Sequence, residues 1–117
     1  MRRELEDRIY WQTWMANPAT LRVVGLGAPA KATVWLNFMG FNADAVAYVV
    51  DSTPTKWGLY IPGTDIPILK RQDMLQFPPY AMLIFAHNYV EEILRWIEPF
   101  HSRGCPIYNV ATRERVA

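Results

Sequence analysis

The run Leu21-Arg-Val-Val-Gly-Leu-Gly-Ala-Pro-Ala-Lys31 constrains this chain more than any other stretch. It reads as a short, continuously apolar strand over Leu21 to Val24 that breaks into a G-x-G-x-x-A turn and then opens a helix. A strand that is apolar throughout belongs in a parallel sheet covered on both faces. The three small residues are expected to divide the work: Gly25 makes a tight turn, Gly27 lets a ligand approach the backbone, and Ala30 lets the helix pack close to the strand. Free N–H groups and the positive end of a helix dipole favour an anion at such a turn, so Gly25, Gly27, Ala28 and Pro29 are its first candidate contacts. Lys31 adds an ammonium within one turn. Asp51 closes the next apolar strand about twenty residues on, where an acid either holds a ribose or caps the turn through its own side chain.

The rest of the chain repeats this alternation. Arg2 to Met15 reads as an amphipathic helix with Leu5, Ile9 and either Trp11 or Trp14 on its packing side, stopped by Asn17-Pro18. Pro29 suits the first turn of a helix running to about Met39, with Gly40 as its stop. Ala45 to Val50 form the second strand, Thr53 to Pro67 an ordered surface loop, and Ile66 to Leu69 the third strand. A brief helix over Arg71 to Gln76 leads to the strand Tyr80 to Ala86. Asn88 is expected to cap the next helix with Glu91 three residues later, and Val90, Ile93, Leu94 and Ile97 mark its buried face until Pro99 ends or kinks it. Ile107 to Val110 supply a last strand, and Thr112 to Ala117 read as a polar tail.

Strands separated by helical segments imply right-handed βαβ units. The expected architecture is therefore α/β: a Rossmann-like three-layer α/β/α domain with a mostly parallel sheet of about five strands in the order 3-2-1-4-5. It forms one domain over 1–117, with an N-terminal helix at 2–15, a core at 21–110 and a tail at 111–117. Chain direction reverses between the first and fourth strands, and ligands bind at such a switch point. Two loops are expected to converge there, Gly25 to Lys31 and Ala86 to Asn88, which makes His87 and Asn88 further candidate contacts.

Several function classes fall away at this stage. Twelve basic and eleven acidic residues, scattered to a net charge of +1, give no footprint for nucleic acid or an anionic membrane. No apolar run is long enough to span a bilayer, and the charged start Met1-Arg-Arg-Glu-Leu-Glu-Asp is not a signal peptide, so a cytoplasmic protein is expected. The lone Cys105 excludes an internal disulfide and a cysteine-built zinc site, and no metal site is expected. There is no G-x-S-x-G, no H-E-x-x-H and no P-loop; His87 lacks a paired carboxylate, and His101 stands alone. No catalytic residue is assigned, and the chain is not expected to be catalytic alone.

One combination is more specific than the glycine motif. Val24-Gly-Leu-Gly-Ala-Pro-Ala-Lys31, Trp35-Leu-Asn37, Tyr48-Val-Val-Asp51, Pro54-Thr-Lys56-Trp-Gly58, Tyr60-Ile-Pro-Gly-Thr64, Ile66-Pro-Ile-Leu69 and Asn88 follow one another across Leu21 to Ile97. In order and spacing they resemble the C-terminal domain of S-adenosylmethionine-dependent sugar C-methyltransferases. The resemblance implies a Rossmann-like domain that helps to bind a nucleotide-linked sugar beside a separate methyl-donor domain, without binding S-adenosylmethionine itself. It also brings in the Tyr60 to Thr64 loop, adding Tyr60, Gly63 and Thr64 to the candidate contacts. The chain departs from the family at Leu26, where an aromatic is usual, at Ala32, where glycine is usual, and at His87, where tryptophan is usual. The family's methyl-donor domain and cysteine-rich zinc segment are missing, so the chain is expected to be a fragment or a free-standing relative working beside another protein.

Three readings follow. The first is a binding module for an anionic nucleotide-sugar or similar metabolite, with no cofactor of its own. The second is an NAD(P)-binding domain of a small oxidoreductase or redox sensor, with Gly25, Gly27 and Ala30 on the pyrophosphate and Asp51 on the ribose. The third is a structural or homodimerisation module with an empty turn, whose exposed aromatic surface binds a partner chain.

Overall fold

The computed structural model describes residues 2–16, 22–102 and 104–117. Its strands are β1 (Val23–Leu26), β2 (Tyr48–Val50), β3 (Ile68–Leu69), β4 (Ala81–Ile84) and β5 (Ile107–Asn109); its α-helices are α1 (Arg2–Met15), α2 (Ala30–Met39) and α3 (Val90–Ile97). The strands form one sheet in the order β3-β2-β1-β4-β5, and every pairing is parallel. β1 lies between β2 and β4, with Gly25 opposite both Val49 and Leu83. All four of its residues are buried, which explains its unbroken apolar character.

Two apolar layers flank the sheet. On one face Trp11 of α1 and Ala32, Leu36 and Met39 of α2 pack over Val23, Val49, Leu83 and Phe85. On the other, Ile97 of α3 joins Leu26, Val50, Met82, Ile84 and Ile107, with Met74 from the segment after β3. The sheet order and the three layers are those expected from connection rules.

Several boundaries and faces differ from expectation, each for a local reason. β1 starts at Val23 and runs through Gly25 and Leu26, so the turn begins at Gly27; Leu21 and the helix stop Asn17-Pro18 lie outside the described residues. β2 holds only the last three residues of its expected span, because the Ala45 and Val46 amides close a turn on Asn42 O at 3.0 and 2.9 Å, and β3 holds only two, because Leu59 to Ile68 folds into a small hairpin. Its rungs are Ile61 N–H to Ile66 O at 2.9 Å and Ile68 N–H to Leu59 O at 2.8 Å. β4 is likewise shorter than Tyr80 to Ala86, and β5 ends at Asn109. Asn88 does not cap α3: His87–Tyr89 form a 3-10 turn, α3 begins at Val90, and no side chain caps it. Pro99 does end α3, within a second 3-10 turn at Glu98–Phe100.

α1 packs through the Trp11 side rather than through Leu5 and Ile9, which are 56% and 59% exposed. Ile9 is two residues from Trp11, about 200° around the helix, so the two cannot share a face. The fully buried indole of Trp11 decides which side faces inward, meeting Tyr10, Trp14 and Trp35 edge-on at 5.1 to 5.7 Å. The expected polar tail is instead an ordered cover for β5. Asn109 N–H donates to Glu114 O at 2.9 Å and Val116 N–H to Ile107 O at 2.7 Å, occupying backbone groups that an edge strand would leave open. Arg113 then pairs with Asp7, tying this cover to α1. None of the described helices is long and apolar enough to cross a membrane.

Candidate functional site

Gly25 is buried in β1, where an added Cβ would lie 2.6 Å from Phe85 Cε2 and 2.9 Å from Val49 Cγ2. Its requirement is close packing, not the expected turn. The turn belongs to Gly27, whose φ of +86° is a left-handed conformation that side chains disfavour. The packing expected of Ala30 falls to Ala32, since Ala30 is exposed while Ala32 is fully buried.

The turn is held from below by a set of hydrogen bonds. Gly27 N–H donates to Val50 O at 2.7 Å. Ala28 N–H donates to Asp51 Oδ1 at 2.8 Å, and Thr53 N–H donates to Asp51 Oδ2 at 2.9 Å. Of the two roles open to Asp51, this is the turn-capping one, and the side chain is buried in it. Lys56 Nζ donates to Ala28 O at 3.1 Å, and Trp57 Nε1 donates to Asp51 O at 2.8 Å. In the sequence, the signal for Lys56 and Trp57 is their place in the Pro54-Thr-Lys-Trp-Gly58 motif directly after Asp51-Ser-Thr.

Above this clamp the helix start remains open. Pro29 takes the N-cap position, and the Ala32 and Thr33 amides return to Pro29 O at 3.0 and 3.4 Å. The Ala30 and Lys31 amides are among those that a helix start leaves without an intrahelical partner. Both residues border a cavity of about 580 Å³. Trp35 and Phe38 of α2, Phe85 after β4 and Val110 after β5 give it an apolar wall, and Glu4 and Asp7 of α1 also line it. Ala30, Phe85 and Val110 follow β1, β4 and β5, so the cavity lies where the segments after these strands meet α1 and α2. On the other face of the sheet, crevices of about 310 and 170 Å³ share Asp51, Ser52 and Trp96, and Gly27 lines the larger.

The remaining candidates divide between the two ends of the sheet. His87 and Asn88 are exposed directly after β4, at the switch-point end, with His87 N–H donating to Phe85 O at 3.1 Å. Tyr60, Gly63 and Thr64 are not brought to that end. Tyr60 bridges Pro67 ahead of β3, and Thr64 Oγ1 donates to Ile61 O at 2.8 Å. Gly63 rests against Asn37, near the end of α2, and α2 runs back from the top of β1. Burial pushes the Tyr48 hydroxyl up to about 12 and the Cys105 thiol up to about 11; both are core groups outside the two crevices and the cavity.

Comparison with known proteins places this arrangement in context. The chain matches the C-methyltransferase C-terminal domain family over residues 4–109. It is 33% identical over 82 residues to the C-methyltransferase NovU of Streptomyces niveus, an alignment covering 70% of this chain but 20% of that protein. The chain thus corresponds to about a fifth of the length of this relative. With a match that takes in every strand of the sheet and the clamped glycine turn, the chain belongs to the C-methyltransferase C-terminal domain family.

Proposed function

We propose that this chain is the substrate-side domain of a sugar C-methyltransferase, and that it binds a nucleotide-linked sugar in the cavity beside the start of α2. The observation that carries this reading is the composition of that cavity. At about 580 Å³ it falls in the size range of small-molecule sites. The Ala30 and Lys31 amides, the helix dipole and the Lys31 ammonium suit a diphosphate. Trp35, Phe38 and Phe85 offer flat apolar surface to a base or a sugar ring.

The contribution of such a domain is positional. Holding the sugar fixes the carbon that accepts the methyl group, which removes translational and rotational freedom before the chemical step. S-adenosylmethionine supplies the methyl group from a separate domain or a partner protein. Asp51, which a dinucleotide would need for its ribose, is engaged by the Ala28 and Thr53 amides, and this favours the sugar-nucleotide reading over the NAD(P) one. The reaction belongs in the cytoplasm, where a lone, buried cysteine is at home.

Isothermal titration with thymidine and uridine diphosphate sugars tests the proposal. Saturable binding is expected, with Lys31→Ala about tenfold weaker through loss of one charge-assisted contact. Binding of NAD(P) without binding of any sugar nucleotide would overturn it.

A further inference from the structure

We infer that Arg71, Ser52 and Gln72 form a second ligand site, one for the phosphoryl group of a small molecule, in the crevice on the α3 side of the sheet. It is separate from the cavity beside α2 and does not rest on the nucleotide-sugar reading. Arg71 is half-buried, with its guanidinium carbon 4.9 Å from the centre of the Phe100 ring and 5.6 Å from that of Trp96. One N–H donates to Trp96 O. Among the described residues no carboxylate pairs with it. A guanidinium carries five N–H donors in a fixed plane, so this one is held in place by two rings and a carbonyl while most of its fork is left without a protein partner. A half-buried guanidinium held with open N–H donors is suited to an oxyanion, which it can meet with charge-assisted hydrogen bonds.

The crevice that Arg71 lines, about 170 Å³, is small and polar enough for a phosphoryl group. Ser52 and Gln72 also line it, and the hydroxyl and amide that they carry are further hydrogen-bond donors for phosphoryl oxygens. Asp51 borders the crevice too, its oxygens accepting from Ala28 and Thr53. A neighbouring carboxylate selects against a dianion, so the ligand carries one charge on its phosphoryl group, as a phosphodiester does. The adjoining crevice of about 310 Å³, lined by Gly27, Ile93 and Trp96, has room for the organic part.

Nuclear magnetic resonance reads the site directly through the indole N–H signals of Trp57 and Trp96, both of which line it. Dimethyl phosphate is the probe and acetate its planar counterpart. Dimethyl phosphate is expected to shift both indole signals saturably and more tightly than acetate. Arg71→Met should weaken binding by about tenfold or more, the loss of a charge-assisted hydrogen bond. Ser52→Ala and Gln72→Ala, both at exposed positions that leave the core intact, should each weaken it severalfold and carry the test if Arg71→Met misfolds. The absence of a saturable shift, equal affinity for acetate, or affinity unchanged in these variants would overturn the assignment.

Discussion

An alanine at Gly25 would place its methyl carbon 2.6 Å from Phe85 Cε2 and 2.9 Å from Val49 Cγ2, inside normal contact distance of both. Val49 has no room to retreat, and Phe85 can shift only toward the cavity beside α2, at the expense of its packing on Trp35. Val49 is fully buried in β2, and Phe85 is 3% exposed, with its ring 5.4 Å from that of Trp35. Overpacking of this kind costs about 1–3 kcal/mol. Alanine recovers about 0.5–1 kcal/mol by restricting the unfolded chain. The net expectation for Gly25→Ala is a loss of about 0.5–2 kcal/mol, seen as a melting temperature lower by roughly 2–10 °C for a domain of this size. Because Phe85 also walls the cavity beside α2, the same substitution should weaken ligand binding there without touching a contact atom. Thermal and urea unfolding of Gly25→Ala, Phe85→Leu and the double variant provide the assay. Leucine is shorter and opens space at the clash, so the double variant should be more stable than the sum of the single effects by about 0.5–1 kcal/mol. Unchanged stability of Gly25→Ala, or strict additivity with Phe85→Leu, would refute the packing role and return Gly25 to the turn.

The clamp under the turn, the buried hydroxyl and thiol, and the C-terminal cover each give a further test. Asp51→Ala leaves the Ala28 and Thr53 amides without their acceptors and should cost about 2–4 kcal/mol in urea unfolding at unchanged m-value; a loss under about 1 kcal/mol would show the clamp to be dispensable. Tyr48 and Cys105 have folded-state values raised from 10.0 to about 12 and from 9.0 to about 11. Between those limits the unfolded chain has lost protons that the native state keeps, so stability should fall as pH rises above about 9. Cys105→Ser and Tyr48→Phe should each flatten part of that slope, and a stability curve level from pH 8 to about 11 would contradict it. Deleting residues 112–117 removes the backbone partners of β5 and the Arg113 pair to Asp7; concentration-dependent association in light scattering is expected, and a monodisperse, equally stable product would show the edge needs no cover.

The sheet order was legible because it depends on features that the sequence displays: unbroken apolar runs, helical periods between them and the rule that crossovers are right-handed. The start and end of α2 were legible for a similar reason, since Pro29 and Gly40 act locally. What was not legible depended on contacts between distant segments. Nothing near Gly25 reveals that Phe85 lies over it, so its role was assigned from the motif alone. The buried face of α1 is not legible because Leu5, Ile9 and Trp11 are all apolar, and only the ring cluster formed with Trp35 decides which one is buried. The tail looked polar because its hydrogen bonds to β5 are made by backbone, which is silent in a sequence. At the site, Asp51 and Lys31 were found from the turn motif. The parts played by Lys56 and Trp57 in holding that turn, and the juxtaposition of Arg71 with Trp96 and Phe100, required the fold. The Tyr60 to Thr64 loop, included through family resemblance, instead closes a hairpin at the other end of the sheet.

The central claim is that a nucleotide-linked sugar occupies the cavity beside α2. It is tested most directly by amide and side-chain nuclear magnetic resonance of the isotopically labelled chain titrated with a thymidine diphosphate sugar. The account predicts saturable shifts concentrated at the Ala30 and Lys31 amides, the Trp35 indole and Phe85, and diminished in Lys31→Ala. Shifts absent at saturating ligand, or confined to residues away from that cavity, would contradict it.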